Sequence, residues 1–571
     1  MTEISHSGCK LLLGGRMFVA MVSSIVVQFI FMSFVILITN LSIMHPLSWL
    51  HDTWSIVTCF RMWCYFVVLA TVIILQGVIC SKTYLNAPVL LKSRFDAFCG
   101  MFTPHNFVVG GLHVAIGIVL VWLHLSLEGG AWSSLTETCR TVHGYCLIEE
   151  HYFLLLGGLW TGIYHFGRTN FWVLCYLEFS PIPQSKFVYV KRGVMDLLPR
   201  AMVMAIWPTL YFLGLYYFLG TYFRSIILSI LFLSFEAEPL DTLSGLLNPS
   251  LIFHAWLYAA LFILTIDTMH LLFQASLTQW MRFEIANQNA FNEESVHVTL
   301  AEVLAMDKIP IMQHLGYLDL VTLAQKDKTR RARLFDLSQP GGHPYNWNSV
   351  VEKCLDLLKK FAAEVDGVSS AKQEENHCAF KPTIEDQEKT YTYHMRNLID
   401  VNSTSLKVDT ETAKPHSSIV VEYLKSKRDL FVSYLLSKPL IFYFFGKQSD
   451  SKIRHVLTNG QTVVWAADAI SSLAVISLKE DPYGIVQKDL PAIVENLFAL
   501  KQALDKVQKT NILMRKPQND DKTIRIILAS LRMAVKRSIY RIVSSFGDYI
   551  EDIPLQKTIK HQLESFIVYR E

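Results

Sequence analysis

Six apolar runs, each long enough to cross a bilayer as a helix, dominate the first half of this 571-residue chain. A helix that rises 1.5 Å per residue needs about 17 to 25 such residues to cross the hydrocarbon core. The runs lie at 17–39, 62–81, 106–127, 151–167, 201–223 and 250–273, and the fourth is the weakest. We expect no comparable run in the second half, so the sequence predicts an N-terminal six-helix transmembrane bundle that carries a large polar body.

The composition agrees with a membrane domain joined to a polar one. Hydrophobic residues make up 51% of the chain and charged residues 18%, whereas charged residues make up about 25% of soluble proteins. We predict an all-α fold with a transmembrane domain at 1–273 and a mainly helical cytosolic domain at 274–365 and 419–571. Residues 366–418 contain few large apolar residues, which predicts a disordered internal loop.

Lysine and arginine are distributed unevenly among the connections between the predicted spans. The N-terminus and the second and fourth connections are basic, whereas the other three connections are not. The first group holds Lys10, Arg16, Lys82, Lys92, Arg94, Arg168, Lys186, Lys191, Arg192 and Arg200, and the second holds Arg61, Arg140 and Arg224. Because basic connections stay on the cytosolic side, both termini and the whole C-terminal half are predicted to be cytosolic.

Three features fall near the predicted luminal connections and the fifth span. Cys139 and Cys146 share one loop, where they either form a disulfide in an oxidising compartment or remain two free thiols. The apolar stretch 225–235 is too short to span, which indicates a segment that lies in the luminal interface or re-enters the membrane. Pro199 and Pro208 are expected to kink or end the fifth helix.

Histidines in the third and fourth spans raise an alternative function. His113 and His124 share one helix face, as do His151 and His165, which is the arrangement that two stacked haems need. The distance along the helix between the two histidines differs by about 4.5 Å between the two spans, so both histidines of one span cannot face both histidines of the other at the same time. The alternative is a haem-binding membrane oxidoreductase or a multi-span transporter, against ordinary packing of the histidines, and we predict no cofactor and no metal site.

The remaining polar and small residues inside the spans favour packing. Asp267 is the one carboxylate that we place inside a span, and it either serves an ion path or has a structural role, reaching the interface or pairing with His270. Gly158 and Gly162 form a small-xxx-small face in the fourth span, which predicts a close helix contact.

Several segments of the second half carry apolar or basic residues that either lipid or protein could contact. The basic stretch 326–333 indicates a lipid contact or a solvated helix face. The apolar run 440–445 is predicted to be buried in the core, with a membrane-skimming segment as the alternative. The basic amphipathic helix at 521–546 is predicted to pack within the domain, with a membrane or an acidic partner as alternatives. The sequence has no nucleophile motif, zinc signature or phosphate loop, so we predict a non-enzyme.

Three stretches of the second half carry a resemblance to a known family. They are Gln313-His314-Leu315-Gly316-Tyr317-Leu318-Asp319-Leu320, the turn Leu337-Ser338-Gln339-Pro340-Gly341-Gly342-His343-Pro344 with Asn346-Trp347, and Asp481-Pro482-Tyr483-Gly484-Ile485-Val486-Gln487-Lys488-Asp489-Leu490-Pro491. With six spans and cytosolic ends, the chain resembles the transmembrane nucleoporins of the nuclear division cycle family over nearly its full length. It is shorter than vertebrate-type members and differs most around 366–418.

The resemblance implies a structural protein of the nuclear envelope that anchors the nuclear pore complex in the pore membrane and supports pore assembly and nucleocytoplasmic transport. It implies membrane lipid, an aladin-type beta-propeller nucleoporin, a membrane-associated inner-ring nucleoporin and other pore membrane proteins as partners. A net charge of +3 gives no reason to expect direct nucleic-acid contact. The family has no catalytic residues to carry over, and the three stretches are expected to be structural signatures before they are partner contacts.

Overall fold

A computed structural model of the chain describes residues 2–40, 45–85, 93–128, 132–139, 145–172, 177, 179, 185–236, 239–285, 298–337, 342–379, 434, 438–445, 451–509, 519–549 and 552–568. Within these residues the fold is helical apart from two short antiparallel strands, β1 Thr136–Thr138 and β2 Tyr145–Leu147. The predicted all-α fold is confirmed.

The described part of the N-terminal half contains six long helices. They are α1 Thr2–Thr39, α3 Phe60–Leu85, α5 Pro104–Glu128, α6 Glu149–Trp172, α7 Lys186–Leu231 and α9 Pro249–Leu277, and the short helices between them are α2 Pro46–Thr58, α4 Arg94–Met101 and α8 Leu243–Leu246. Each predicted run lies within one long helix. By length and hydropathy all of them except α6 qualify as membrane spans, and α6 lies against α5, α7 and α9 within the bundle.

The C-terminal half forms a helical domain that packs on one end of the bundle. Its helices are α10 Leu300–Leu304, α11 Pro310–Lys326, α12 Lys328–Phe335, α13 Tyr345–Ala379, α14 Pro439–Phe445, α15 Ser451–Thr458, α16 Gly460–Glu480, α17 Ile485–Lys509, α18 Asn519–Phe546 and α19 Lys557–Val568, with a 3-10 turn at Gly547–Tyr549. Helices α11, α13 and α18 contact α16, and α17 packs on α13. We call the end of the bundle that meets this domain the proximal end and the opposite end the distal end.

Helix α16 is also long and apolar enough to cross a membrane, so the expectation that no comparable run occurs in the second half is wrong. Its most apolar stretch is 72% buried by the protein itself, against 28% for α1, α3 and α7. Ala466, Ile470 and Leu473 have no exposed surface. Because a helix that is apolar on all sides is stable wherever its whole circumference is covered, α16 has the composition of a span but lies at the centre of the C-terminal domain.

Helix α9 has the corresponding central place in the bundle. Helices α1, α5, α6 and α7 all pack against it, and Phe262, Ile263 and Ile266 in its middle are buried. Helices α1, α3 and α7 instead present large apolar side chains outward, as a surface in contact with lipid tails requires. Phe218 of α7, for example, is 82% exposed.

Helix α7 is longer than any bilayer thickness. Its 46 residues span about 69 Å at 1.5 Å per residue. It runs through Pro199 and Pro208 without ending at either, and it continues to Leu231. Residues 225–231 form the last two turns of this helix, and the predicted place of the stretch 225–235 in the luminal interface or in a re-entrant segment stays a prediction.

The structure tests part of the loop predicted at 366–418 and the whole of the helix predicted at 521–546. Helix α13 continues to Ala379, past the predicted boundary at 365, and residues 380–418 lie outside the described part of the chain. Helix α18 covers the helix predicted at 521–546 and buries Leu531, Val535 and Ile539 in the domain. Packing within the domain, the favoured prediction for this helix, is therefore confirmed.

The distal end is closed by a small polar cap around Glu149 at the start of α6. Glu149 Oε1 accepts hydrogen bonds from Tyr216 at 2.8 Å and Arg224 at 3.0 Å, and Oε2 accepts from the Leu240 amide at 3.0 Å. Cys139 and Cys146 form a disulfide beside it, which settles the choice between a bridge and two thiols. The cap thus ties the connections on both sides of α6 and α7 together.

Helices α5 and α6 approach each other through glycine. A Cβ atom built on Gly158 would lie 2.5 Å from the Gly117 carbonyl oxygen, and one on Gly162 would lie 2.7 Å from the His113 carbonyl oxygen. No real Cβ contact is that short, so the backbones can approach this closely only because neither residue has a side chain. The predicted close contact at Gly158 and Gly162 is confirmed.

Substituting Gly158 with alanine should therefore separate the two helices. We expect Gly158→Ala to lower the stability of the protein by about 1–3 kcal/mol, because the added methyl group meets backbone rather than a movable side chain. Thermal unfolding of the purified protein in nanodiscs would measure this loss. Gly167→Ala on the same helix is the control, since nothing lies within 4 Å of its added Cβ. Equal melting temperatures for the two variants would contradict the proposed contact.

Candidate functional site at the junction of bundle and C-terminal domain

The proximal end of the bundle and the C-terminal domain share one apolar core. Leu13 of α1, Phe273 of α9 and Leu304 of α10 belong to a single cluster of buried side chains. Cys9 Sγ lies 3.5 Å from Met306 Sδ across the boundary. Because protein interiors are close-packed, a shared core holds the domain in a fixed position on the bundle.

The first span is fastened to the end of the last span at the same level. Arg16 Nη1 donates hydrogen bonds to the carbonyl oxygens of Gln279 at 2.7 Å and Leu277 at 3.4 Å. The carbonyls at the C-terminal end of a helix such as α9 have no partners within the helix, and they carry the negative end of its dipole. The arginine therefore caps α9 from a neighbouring helix.

A buried ion pair joins the segment after α9 to α11 and α12. Arg330 donates from Nη1 to Asp319 Oδ1 at 3.0 Å and from Nη2 to Asp319 Oδ2 at 2.7 Å. Arg330 Nη2 also donates to the Phe283 carbonyl at 2.6 Å, and the Phe283 amide donates to Asp319 Oδ2 at 3.1 Å. The two charged side chains are 4% and 0% exposed. Two parallel bonds and two backbone partners satisfy charges that burial would otherwise make very costly.

Arg331, next in sequence, makes a second pair with a distant helix. Its Nε and Nη2 donate to Glu480 Oε2 and Oε1 at 2.9 and 3.0 Å. The guanidinium holds the pKa of Glu480, at the end of α16, below its usual range. The predicted lipid or solvent contact of the stretch 326–333 is thus wrong for Arg330 and Arg331, which point inward, whereas Arg333 is exposed.

The connection between α6 and α7 also enters the C-terminal domain. Leu177 is buried there, and the Phe179 ring stacks on the His314 ring of α11 with centroids 4.6 Å apart. Trp465 of α16 meets both rings edge-on. Burial lowers the pKa of His314 to about 4, so the ring is neutral at pH 7 and packs as an aromatic side chain.

The connection between α3 and α5 meets α14 of the C-terminal half. The Phe95 and Phe445 rings lie 4.5 Å apart, and the Arg94 guanidinium lies 3.8 Å from the centre of the Tyr443 ring. Tyr443, Phe444 and Phe445 are about half exposed, so the expected core burial of 440–445 is wrong for these side chains. The N-terminus and the two connections that the sequence marks as basic therefore all lie at the proximal end.

The first family stretch lies in the core of the domain. Gln313 donates to the Leu304 carbonyl and to Asp307 at 3.3 and 3.2 Å. Tyr317 has no exposed surface and donates to the Lys353 carbonyl at 3.3 Å, and Leu318 is buried beside it. A Cβ atom on Gly316 would lie 2.8 Å from the Val303 side chain. Together with His314, these contacts join α11 to α10 and α13.

The second and third family stretches meet through Trp347. Its ring has no exposed surface and its Nε1 donates to Asp489 Oδ2 at 2.9 Å. Leu490 is buried next to Asp489, and Pro491 lies inside α17. Gly342 and Pro344 are half-buried before α13. Gln339, Pro340 and Gly341 lie outside the described residues.

The third stretch begins α17 with a capped turn. Asp481 accepts from the amides of Tyr483 and Val486, both at 3.0 Å, and Gly484 has a φ of +65°, a conformation that glycine adopts without strain. Tyr483, Gln487 and Lys488 face outward from this turn. His343 of the second stretch is exposed as well. Some signature residues are thus interior and others are accessible.

Sequence reasoning missed the residues that fix the domain to the bundle. Phe179 and Phe283 carry no pattern that marks them, and Arg330 was read only as part of a basic stretch. The one available signal was Asp319, a carboxylate among buried leucines of α11. A charge on the apolar face of a helix needs a buried partner.

The intramembrane histidines form a packed cluster with polar partners. The His113 and His165 rings lie 5.9 Å apart, and the Phe262 ring lies against both. Gln76 Nε2 lies 3.1 Å from His113 Nδ1, and His165 Nε2 lies 3.4 Å from Asp267 Oδ1. The Asp267 carboxylate therefore contacts His165 of another span, a partner that the sequence did not indicate.

The other two histidines of these spans, His124 and His151, have separate partners. His124 stacks on the Tyr258 ring with centroids 5.8 Å apart, whereas His151 Nδ1 lies 2.6 Å from the Trp132 carbonyl oxygen. Cys139, Cys146 and Glu236 lie close together at the distal end. Those sulfurs are joined as a disulfide, and only the thiolate form is a metal ligand.

Comparison with known proteins gives one consistent similarity. Residues 12–564 match the family described as nucleoporin protein Ndc1-Nup. The chain is 27% identical over 663 residues to nucleoporin NDC1 of Homo sapiens, covering 98% of this chain and 97% of that protein. It is 26% identical to nucleoporin NDC1 of Xenopus laevis, covering 99% of each, and 26% identical to nucleoporin Ndc1 of Drosophila melanogaster, covering 96% of each.

Proposed function

Because the chain belongs to the nucleoporin Ndc1-Nup family, we propose that it is a structural membrane protein of the nuclear pore complex that anchors the complex in the nuclear envelope. The observation that carries this function is the family match from residue 12 to residue 564, which includes the bundle and the C-terminal domain together. The resemblance carried by the three stretches of the second half is thereby confirmed.

The junction suits an anchor because it fixes the position of the C-terminal domain on the membrane bundle. A shared core, the Arg16 contact and the Asp319–Arg330 pair fix the domain at the end of the last span. A partner that binds the domain is then held in a fixed position relative to the bundle. This arrangement supports a role in pore assembly and nucleocytoplasmic transport in which the protein holds its partners in place and catalyses no reaction.

We propose that the proximal end faces the cytosol and the pore, with both termini on that side. Two independent features support this orientation. The basic connections that the positive-inside rule assigns to the cytosol all contact the C-terminal domain. The disulfide between Cys139 and Cys146 lies at the opposite end, where the lumen of the nuclear envelope supplies an oxidising compartment.

Other pore components and membrane lipid are the proposed partners. The specific candidates are an aladin-type beta-propeller nucleoporin, a membrane-associated inner-ring nucleoporin and other pore membrane proteins. Within the family stretches, the exposed side chains of His343, Tyr483, Gln487 and Lys488 are the candidates for contact, whereas Tyr317 and Trp347 are buried and support the fold.

The alternative of a transporter or a haem-binding oxidoreductase has no support in the family match. The histidines that suggested it are held by Gln76, Asp267, Phe262 and Tyr258, as expected for packing in a helix interface. We infer that the protein has no enzymatic activity. A haem absorption band in purified protein would contradict this inference.

Tags at both ends of the full chain test the proposed location and orientation together. After permeabilisation of the plasma membrane alone, we expect both tags to be stained in spots at the nuclear rim that coincide with a pore marker. A luminal tag on a control protein should stay unstained until the nuclear membranes are opened. Staining of the C-terminal tag only after that second step would contradict the orientation, and a reticular pattern without pore spots would contradict the function.

A further inference from the structure

Helices α4 and α14 together present an aromatic surface at the proximal end that the anchoring function does not explain. Phe95, Phe98 and Phe102 come from the connection before α5, and Tyr443, Phe444 and Phe445 come from α14. Their side chains are 38%, 50% and 67% exposed in the first group and 53%, 49% and 49% in the second. We call these six residues the aromatic patch. Exposed apolar surface of this kind marks a site of contact.

Helix α4 is held at the level where a span enters the bilayer. Only Phe102 and Thr103 separate its last residue from Pro104, the first residue of α5. The Asn106 side chain, in the first turn of α5, donates to the Gly100 carbonyl of α4 at 2.7 Å. Because α5 is one of the spans, α4 and its phenylalanines border the headgroup region of the membrane.

Helix α14 is brought to the same level by its contacts with α4. The Phe95 and Phe445 rings touch, and Arg94 covers the face of Tyr443. After α14 the chain passes to α15, which packs on α13 and α18 within the C-terminal domain. Helix α14 is thus a part of that domain that lies next to the entry of a span.

We propose that the aromatic patch inserts into the headgroup and acyl boundary of the proximal leaflet, so that the C-terminal domain has a membrane contact of its own. The occupant is lipid because the patch is continuous with the lipid-facing surface where α5 enters the membrane. Helices that lie in the interface bury an apolar face about 5–10 Å into this boundary. An arginine stacked on tyrosine suits that depth, since the ring is amphipathic and the cation remains near the phosphates.

Photocrosslinking of the full chain from position 444 tests this proposal. The variant Phe444→p-benzoylphenylalanine would be reconstituted in phosphatidylcholine and phosphatidylserine vesicles that contain phosphatidylcholine with an alkyne on its acyl chain. Phe218→p-benzoylphenylalanine, at an outward-facing position of the span formed by α7, is the positive control. Tyr483→p-benzoylphenylalanine, 59% exposed on the C-terminal domain, is the matched negative control.

We expect the yield of lipid adduct from position 444 to approach that from position 218 and to exceed that from position 483 several-fold. A yield at the level of position 483 would overturn the proposal. An adduct with a second protein chain instead of lipid would overturn it as well, because the patch would then be a protein interface. Equal elution of the three variants in size-exclusion chromatography shows that they are folded.

Discussion

Replacing Arg330 with methionine is expected to destabilise the protein by about 3–5 kcal/mol, because Asp319 would remain as a buried carboxylate without a charged partner. The substitution also removes the bond to the Phe283 carbonyl that ties the last span to the C-terminal domain. Thermal unfolding in nanodiscs, followed by tryptophan fluorescence, should show a melting temperature lower by about 6–20 °C.

Two variants distinguish loss of this pair from a general effect of the substitution. Arg333→Met on the same helix removes an exposed arginine and should melt close to the unaltered protein. The double variant Asp319→Leu with Arg330→Met removes both charges and should recover part of the lost stability, since an apolar replacement of a whole buried pair is often neutral. If Arg330→Met melted like Arg333→Met, the pair would not hold the junction.

Trp347→Ala should cost a similar amount, about 3–5 kcal/mol, because it empties a large buried volume. The ring has no exposed surface, lies 5.7 Å from the Phe335 ring and donates to Asp489. It joins α12, α13 and α17, so its loss should loosen the domain while the bundle stays inserted. Limited proteolysis of the reconstituted protein should then release fragments of the C-terminal half at protease concentrations that leave the unaltered protein intact.

A conservative variant and a surface variant are the controls for the effect of Trp347→Ala. Trp347→Phe keeps most of the volume and loses the hydrogen bond, so we expect a cost of about 1–2 kcal/mol. Tyr345→Ala, which removes an exposed side chain two residues before Trp347, should have little effect. A Trp347→Ala protein as resistant to protease as Tyr345→Ala would show that the tryptophan does not join the two family stretches.

The parts of the fold that sequence predicts well depend on local properties. Span length and hydropathy are read within one helix, so the runs inside α1, α3, α5, α7 and α9 could be placed without knowing their neighbours. The short run at 151–167 needed more, because α6 does not qualify as a span by length and hydropathy and is placed by its contacts with α5, α7 and α9. Gly158 and Gly162 supplied that signal, since their spacing puts both on one face.

The parts that sequence did not predict depend on partners far away in the chain. Arg331 looks solvated until Glu480 is placed beside it, and the two are 149 residues apart. Helix α16 is a run of span length that the expectation for the second half did not include, and only its neighbours in space show that protein covers it. Exposure of the α14 aromatics was missed for the opposite reason, since an apolar run is usually buried.

The central claim is that this chain is the membrane anchor of a nuclear pore complex, with its C-terminal domain on the side of the cytosol and the pore. Proximity labelling by a biotin ligase fused to the C-terminus of the full chain, in intact cells, tests this most directly. The same ligase on an unrelated protein of the endoplasmic reticulum membrane provides the background. We predict that nucleoporins are strongly enriched over that background, and enrichment of reticulum or plasma-membrane proteins without nucleoporins would contradict the claim.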